Sequence, residues 1–204
     1  MAGRAAQPSD AAYIAGVIKA AFLDDPIWGV ALRSSGGAFL DLDAYWRLFV
    51  DGALRFGTAR IAEDGAAIAI WLPPGENELS DSQLEVLKEL VARDLDEAAL
   101  TQLHQLYERF EDSRAGRPDH YYLSLLATHP EHRGKGVGQQ LLAGDLALWD
   151  AASAPCYLES TNAANDHRYA RAGFAVDGGF AAIRDDTWVT AMWRPVGGTR
   201  PDIA

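Results

Sequence analysis

Residues 129–138 read HPEHRGKGVG and stand between an apolar run, YYLSLLA at 121–127, and a helical pattern over 139–150. Glycines at alternate positions remove every second Cβ, so the chain can turn tightly and successive N–H groups can point at one ligand. The stretch predicts a strand, a turn and a helix whose N-terminus accepts an anion such as pyrophosphate. A strand-to-helix turn without a ligand is the alternative, because glycines also mark plain turns.

Two common nucleotide loops do not fit this stretch. A Walker A loop has Ser or Thr after Gly-Lys, whereas Gly134-Lys135 is followed by Gly136. A dinucleotide-binding loop has a third glycine where this chain has Gln139, and no acidic residue about 20 positions on lies in the required βαβ context.

A family resemblance is carried by two motifs. Arg133-x-x-Gly136-x-Gly138 after a strand resembles the acetyl-CoA signature of the GNAT superfamily of N-acetyltransferases. Downstream, YLESTN at 157–162, Tyr169 and Gly173-Phe174 resemble that family's second motif at its usual distance. The resemblance covers 119–194 well and the N-terminal half more loosely. Within the superfamily, these elements and DGAAIAIW at 64–71 look most like the puromycin N-acetyltransferase group.

The resemblance implies an α/β GNAT acetyltransferase fold, with a mixed, mostly antiparallel sheet of about six to seven strands flanked by helices. It implies one domain over 1–204. Its predicted parts are N-terminal helices and a first hairpin at 1–75, a helical insertion at 76–118, and an acetyl-CoA-binding core at 119–196.

Residue periodicity predicts the individual elements. Helices are expected from Ser9 or Asp10 to about Asp24, over 40–56, over 80–112 with a break near 94–96, over 139–150 and over 163–172. Strands are expected at 3–7, 58–62, 66–72, 119–128, 155–160, 174–183 and 187–194.

Composition limits the classes of partner. The 204 residues carry a formal net charge of −11, which argues against nucleic acid because its phosphates would be repelled. No run approaches the roughly 18 apolar residues of a membrane span, and the N-terminus lacks a signal-peptide core, so we expect a cytoplasmic protein without a membrane partner. Acidity is compatible with a cationic amine substrate, although it also simply aids solubility. Cys156 is the only cysteine, so an internal disulfide is excluded.

Acetyl transfer to an amine needs a base, because an alkylamine with a pKa of ~10.4 is about one part in 10³ neutral at pH 7. Glu159, at the end of the strand after the glycine-turn helix, is the candidate base; a structural acceptor is its alternative role. Tyr169 occupies the family's tyrosine position, which implies a general acid for the CoA thiolate. Helix packing beside Phe174 is the alternative for Tyr169.

Further cofactor contacts are implied by the resemblance alone. Leu126, Ala127 and Thr128 would pair their backbone with the pantetheine arm, and Asn162 would bond the same region. Backbone N–H groups of the glycine turn would hold the pyrophosphate, from Arg133, Gly134, Lys135, Gly136, Val137 and Gly138. Asn165 and Arg168 depart from the family's usual alanine and aromatic residue.

The acceptor site and metal content are predicted more thinly. Asp24 and Asp25 precede Pro26, which is ordinary turn chemistry, but the resemblance places them in a loop lining the acceptor site. Trp71, near a strand end, borders the acceptor pocket or packs in the core. We expect no metal, because the histidines lack a helical His-x-x-x-His pair and a cysteine partner.

The sequence therefore favours an acetyl-CoA-dependent enzyme that acetylates a primary amine of a small molecule, such as an antibiotic, by direct attack in a ternary complex. Two alternatives stay open. One is a protein N-terminal or lysine acetyltransferase, and the other is a non-catalytic acyl-CoA-binding sensor. An exposed terminal strand could also pair with a second subunit in a homodimer.

Overall fold

The computed structural model describes residues 3–182 and 187–198, and a seven-stranded sheet runs through them. Its strands lie in the order β1-β2-β3-β4-β5-β7-β6, and only the β4–β5 pair is parallel among the described pairs. The mixed, mostly antiparallel sheet is thus confirmed. The strands are β1 Arg4–Ala5, β2 Arg60–Ile61, β3 Ala67–Leu72, β4 Tyr121–Thr128, β5 Cys156–Ser160, β6 Ala175–Ala181 and β7 Trp188–Arg194.

Seven α-helices among the described residues flank this sheet. They are α1 Ala11–Phe22, α2 Trp28–Ala31, α3 Leu42–Leu54, α4 Asp81–Asp94, α5 Glu97–Arg114, α6 Val137–Ala151 and α7 Asp166–Arg171. Helices α4 and α5 occupy the predicted insertion at 76–118, while the division of the chain into three parts stays a prediction. No helix in the described ranges has both the length and the hydrophobicity to cross a bilayer.

Strand β3 separates the two main cores. Its six residues are all buried, and alternate side chains enter opposite layers because successive Cβ atoms point to opposite faces. Ile68, Ile70 and Leu72 join the core formed with α1, α3, α4 and α5. Ala67, Ala69 and Trp71 join the core beneath α6.

The predicted helices have clear physical ends. The expected break near 94–96 is confirmed, because Asp96 is the N-cap of α5 and its carboxylate accepts from the Ala99 N–H at 3.2 Å. Ser80 and Gln83 form a capping box at the start of α4. Helix α2 was not predicted. The C-terminal end of the predicted 174–183 strand, at Ile183, lies outside the described residues.

A β-bulge in β4 positions the site. Ile70 pairs with Leu125 and Trp71 pairs with Leu123, so Ser124 is an extra residue on β4. Such an insertion bends a strand and reverses the phase of its side chains. Accordingly Tyr122, Leu125 and Ala127 all contact the same core.

Candidate active site

The candidate site is a wedge between two neighbouring strands. Strands β4 and β5 pair only from Tyr121↔Cys156 to Leu123↔Leu158, whereas β4 pairs with β3 as far as Thr128. Past Leu123, no described strand pairs with the edge of β4 that faces β5. A cavity of about 640 Å³ opens there and is lined by residues of both strands, the glycine turn and helices α1, α2, α3 and α5.

The glycine turn closes one end of the cavity. Gly134 and Gly136 both have φ of +77°, which side chains disfavour, and Gly136 is the N-cap of α6. A Cβ on Gly138 would lie 2.5 Å from Oγ1 of Thr128, so this glycine lets α6 approach the end of β4. The first N–H groups of a helix have no partner within it, and the start of α6 lines the cavity. The geometry is that of an anion site.

The two basic side chains of this turn are engaged with backbone. Arg133 lines the cavity and donates through Nη2 to the Ala21 carbonyl at 2.8 Å, which ties the turn to the end of α1. Lys135 does not line the cavity, and its ammonium donates to the Glu131 carbonyl at 3.2 Å. Lys135 could therefore contribute its backbone N–H group to a pyrophosphate site, as predicted, but its side chain points elsewhere.

The predicted pantetheine contacts fall along the open edge of β4. Leu126 and Thr128 line the cavity, whereas the Ala127 side chain is buried in the core, which leaves Ala127 only its backbone for a ligand. Asn162 also lines the cavity. Its side-chain oxygen accepts from the Ala164 N–H at 3.0 Å, so its NH₂ group is the part that can donate to a ligand.

Glu159 is the first residue of β5 past the last paired position, and it lines the cavity. Its Oε1 accepts from the Tyr157 hydroxyl at 2.9 Å, and its Oε2 is buried without a hydrogen-bond partner among the described residues. Burial raises the pKa of Glu159, while the Tyr122 hydroxyl, the Arg114 charge and the Tyr157 hydroxyl oppose that rise. A buried carboxylate with one open oxygen can accept a proton from a ligand.

Tyr169 lies in α7 and also lines the cavity. Its ring meets Phe174 edge-to-face at 6.3 Å, so the predicted packing contact is present, while the general-acid role stays a prediction. Burial, followed by the charges of Asp25 and Asp166, raises the pKa of Tyr169 to about 12. Within the described residues its hydroxyl has no hydrogen-bond partner. A phenol in this state keeps its proton and can donate it in a hydrogen bond.

The two predicted acceptor acids differ in their surroundings. Both line the cavity. Asp24 is exposed, whereas Asp25 accepts through Oδ1 from Ile27 and Trp28 N–H groups and through Oδ2 from the Thr161 hydroxyl at 2.8 Å. Asp25 therefore caps α2 and joins it to the end of β5.

The expectation that Trp71 borders the acceptor pocket is wrong. The side chain is fully buried under α6, on the face of β3 opposite the aromatic part of the cavity, and it does not line the cavity. Its indole N–H donates to Oδ2 of Asp145 at 2.9 Å. The strand-end position misled the prediction because the alternation of β3 turns this residue to the other face.

Sequence reasoning missed Glu78, a further part-buried acid that lines the cavity. Glu78 lies between β3 and α4, accepts from the Ser124 hydroxyl at the bulge, and has a pKa that burial raises. The guanidinium of Arg114 lies close enough to both Glu78 and Glu159 to interact electrostatically, and it stacks over the Tyr122 ring at 4.6 Å. No local pattern separates Glu78 from the exposed Glu76, since only the tertiary fold brings it to Ser124.

An aromatic wall forms the remaining side of the cavity. Trp28 stacks on Phe110 with centroids 5.5 Å apart and meets Trp46 edge-on at 6.2 Å. Phe22 lies 5.4 Å from Trp46. We use the name aromatic wall for the cavity-lining rings Phe22, Trp28, Trp46, Phe49, Tyr107 and Phe110.

Three potential metal ligands meet beside the glycine turn. Ligand atoms of His129, Glu131 and His132 lie within 4.8 Å of one another, because residues 130–132 form a single 3-10 turn. Glu131 is exposed, and His129 Nδ1 already accepts weakly from the Glu131 N–H at 3.4 Å. The expected absence of a metal stays a prediction.

Residues 105–176 match a family model described as an acetyltransferase (GNAT) domain. A solved structure from Corynebacterium glutamicum, described as histone acetyltransferase HPA2 and related acetyltransferase, is 23% identical. It covers 96% of this chain and 96% of its own length, with a TM-score of 0.68. The chain has the GNAT fold.

Two further GNAT-fold structures extend the comparison. The arylalkylamine N-acetyltransferase 2 of Aedes aegypti is 14% identical, covers 95% of this chain and 97% of its own, and has a TM-score of 0.63. The polyamine N-acetyltransferase of Drosophila melanogaster is 12% identical, covers 94% of this chain and 98% of its own, and has a TM-score of 0.64. The GNAT domain match and the shared fold support an acyltransferase enzyme.

The GNAT domain match contains some parts of the site and omits others. It spans the wedge, the glycine turn, Glu159 and Tyr169. Glu78 and the parts of the aromatic wall in α1, α2 and α3 lie outside it. Most of the aromatic wall thus comes from segments that the family model does not cover.

Proposed function

We propose that this protein transfers the acetyl group of acetyl-CoA to the primary amine of a small molecule. The observation that carries the proposal is the wedge, which opens at one end onto the N-terminus of α6 and at its apex onto a buried carboxyl, Glu159. The positive-φ glycines and the open β4 edge fit the pyrophosphate and the amide-bearing arm of CoA.

The residues at the apex could perform the transfer by direct attack in a ternary complex. Glu159 Oε2 takes a proton from the bound ammonium, and the neutral nitrogen attacks the thioester carbonyl carbon. The C–N bond forms, and the C–S bond then breaks while Tyr169 donates a hydrogen bond to the departing sulfur. The second proton of the attacking nitrogen passes to that sulfur, so the products are the amide, free CoA thiol and protonated Glu159. The tyrosine pKa of about 12 against ~8.5 for a thiol makes complete proton transfer uphill by about 5 kcal/mol, so hydrogen bonding is the main contribution of Tyr169.

An acyl-enzyme route through the single cysteine is disfavoured by its surroundings. Cys156 is fully buried, does not line the cavity, and has a pKa that burial raises to about 12. A thiol that stays protonated is a poor nucleophile. We therefore favour direct attack by the amine over an acyl-enzyme on Cys156.

The neighbouring structures support a small amine as the acceptor. The Drosophila structure is described as an enzyme that forms N-acetylagmatine, and the Aedes structure as an arylalkylamine acetyltransferase. The finer resemblance to the puromycin N-acetyltransferase group stays a prediction, as does a cytoplasmic location.

A screen of amines with detection of free CoA tests the proposed function. Puromycin, aminoglycosides, polyamines, arylalkylamines, amino acids and a lysine-containing peptide with a free N-terminus are each mixed with acetyl-CoA and protein, and the released thiol is measured. Amine-dependent release confirms the proposal. Release only with peptides would indicate a protein acetyltransferase, and acetyl-CoA binding without release from any acceptor would indicate a sensor.

A further inference from the structure

We propose that Glu78 binds the ammonium group of the acceptor together with Glu159, and that the aromatic wall receives a ring-bearing body of the same molecule. The acceptor class is thus a monocationic amine with one aromatic or similarly bulky apolar group. This inference rests on the proposed function and names the substrate class of the same cavity.

The backbone of Glu78 is fixed in place by helix α3. Arg55 Nη2 donates to the Asn77 carbonyl at 2.6 Å and to the Glu78 carbonyl at 3.2 Å. A Cβ on Gly52 would overlap that same Glu78 carbonyl oxygen, so a glycine is required at this point of α3. The loop between β3 and α4 is therefore held tightly against the helix rather than free at the surface.

The side chain of Glu78 is directed to the apex of the wedge. It accepts from the hydroxyl of Ser124, the bulge residue. Ser124 and Glu159 are the first residues of β4 and β5 beyond the last paired position, Leu123↔Leu158. Both carboxyls therefore lie where the open edge begins, which is where the thioester end of a CoA arm lying along β4 would stop.

The charged groups at this apex are two acids and one guanidinium, so one further cation would balance them. Glu78 and Glu159 are two largely buried acids, and Arg114 is the guanidinium that interacts with both. The hydroxyls of Tyr45, Tyr107, Tyr122 and Tyr157 face these acids and carry no charge at neutral pH, since burial raises their pKa values. Glu111, which also acts on Arg114, is exposed to solvent. One bound ammonium would balance the uncompensated buried charge.

The aromatic wall sets the remainder of the acceptor. Its six rings come from α1, α2, α3 and α5 and make contacts with one another at 5.4–6.4 Å, so they form one continuous apolar surface. The carboxylates that line the cavity beside this surface are exposed to solvent, as in Asp24 and Glu111, or already accept three hydrogen bonds, as in Asp25. A second ammonium placed against the wall would therefore lose water without gaining a buried carboxylate that is free to pair with it. A ring would instead gain stacking and burial.

Three acceptors test the class in the unmodified protein. 2-Phenylethylamine carries one ammonium and a ring, n-butylamine carries one ammonium and no ring, and putrescine carries two ammonium groups. We expect kcat/KM for 2-phenylethylamine to exceed that for each of the others by about 10- to 100-fold, the range that burial of one aromatic group provides. Equal or better turnover of putrescine or n-butylamine would overturn the inference while leaving the proposed function standing.

Variants at Glu78 test the ammonium contact. Glu78→Gln should raise KM for 2-phenylethylamine by about 10- to 100-fold, because a charged hydrogen bond is lost, with a smaller change in kcat and an unchanged affinity for acetyl-CoA. Glu76→Gln is the matched control, since it removes an exposed acid from the same loop and should leave KM within about twofold. Glu78→Asp keeps the charge and should recover part of the loss.

A third variant separates position from charge. Gly52→Ala keeps every carboxyl group but pushes the Glu78 backbone away from α3, so it should raise the amine KM without changing acetyl-CoA affinity. The inference is wrong if Glu78→Gln and Glu76→Gln show the same amine KM. Failure of every amine to release CoA would overturn both this inference and the proposed function.

Discussion

Tyr169 has a neutral hydroxyl that lines the cavity, and burial keeps it protonated with a pKa of about 12. We expect Tyr169→Phe to lower kcat by about 10²–10³-fold, the usual effect of removing one hydrogen-bond donor to a developing negative charge, while acetyl-CoA affinity stays the same. The steady-state rate of CoA release measures kcat, and calorimetry measures acetyl-CoA affinity. Tyr13→Phe is the control, because Tyr13 bonds the Gly65 carbonyl far from the cavity. Unchanged turnover in Tyr169→Phe would restrict the residue to packing against Phe174.

Glu159 has a raised pKa and must be ionised to take a proton. In the wild type, kcat/KM should therefore fall as pH drops through a value above the ~4.3 of a free glutamate. Burial raises this pKa, and Tyr122, Arg114, Tyr157 and Ser113 oppose the rise. Glu159→Gln should lose this acidic limb, turn over more slowly at neutral pH, and partly recover at high pH, where more amine is already neutral. Identical pH–rate curves for the two proteins would assign deprotonation to another group.

At the scale of elements, the junction of β4 and α6 makes a prediction about binding. Gly136→Asp adds a side chain at φ of +77° and a negative charge where pyrophosphate is expected. Acetyl-CoA affinity should fall by about 100-fold or more, because two like charges are brought together. Gly57→Asp is a matched control, since Gly57 has φ of +68°, equally open surroundings and no place in the cavity lining. Equal affinities in calorimetry would remove the phosphate role of the turn.

Periodicity predicted most elements because each buries one face. It placed the strand, turn and helix around Gly136, and it found the break between α4 and α5. The bulge at Ser124 could not be predicted, since it depends on the register that β3 imposes on β4. Glu159 was predicted because it lies within a motif, whereas Glu78 was missed because only the tertiary fold brings it to Ser124. For Trp71 the sequence left the acceptor pocket and the core open, and the structure places it in the core. Local spacing reports the face of an element, but only packing decides which faces meet.

At the scale of the whole molecule, an ion pair joins α6 to the last strand. Arg194 is buried and donates to both carboxylate oxygens of Asp150 at 2.6 and 2.8 Å, and Asp150 also accepts from the Gly197 N–H. Removing one partner leaves the other charge buried, so Asp150→Asn should lower the free energy of unfolding by about 2–4 kcal/mol at pH 7. Urea unfolding measures this difference.

The pH dependence of that difference has a definite sign. The Arg194 guanidinium lowers the pKa of Asp150 below the ~3.9 of the unfolded chain. The stabilisation is therefore complete above about pH 4 and is lost as pH falls through the lower folded value. The difference in the free energy of unfolding between wild type and Asp150→Asn should therefore decrease only in strong acid. Asp51→Asn, at an exposed pair with Arg47, should show almost no gap at any pH. A constant gap from pH 7 to pH 2 would contradict the assignment.

The separation of β4 from β5 means that the protein's own chain leaves its sheet unfinished. Backbone groups of β4 beyond Leu123 face a cavity on one side, so their hydrogen bonds must be supplied by solvent or by a bound molecule. A CoA arm lying there would act as a non-peptide strand and fill the open hydrogen-bonding positions of β4. Amide hydrogen exchange over 124–128 should then slow when acetyl-CoA is added, even with no acceptor present. Binding of the cosubstrate would then also complete the hydrogen bonding of the sheet.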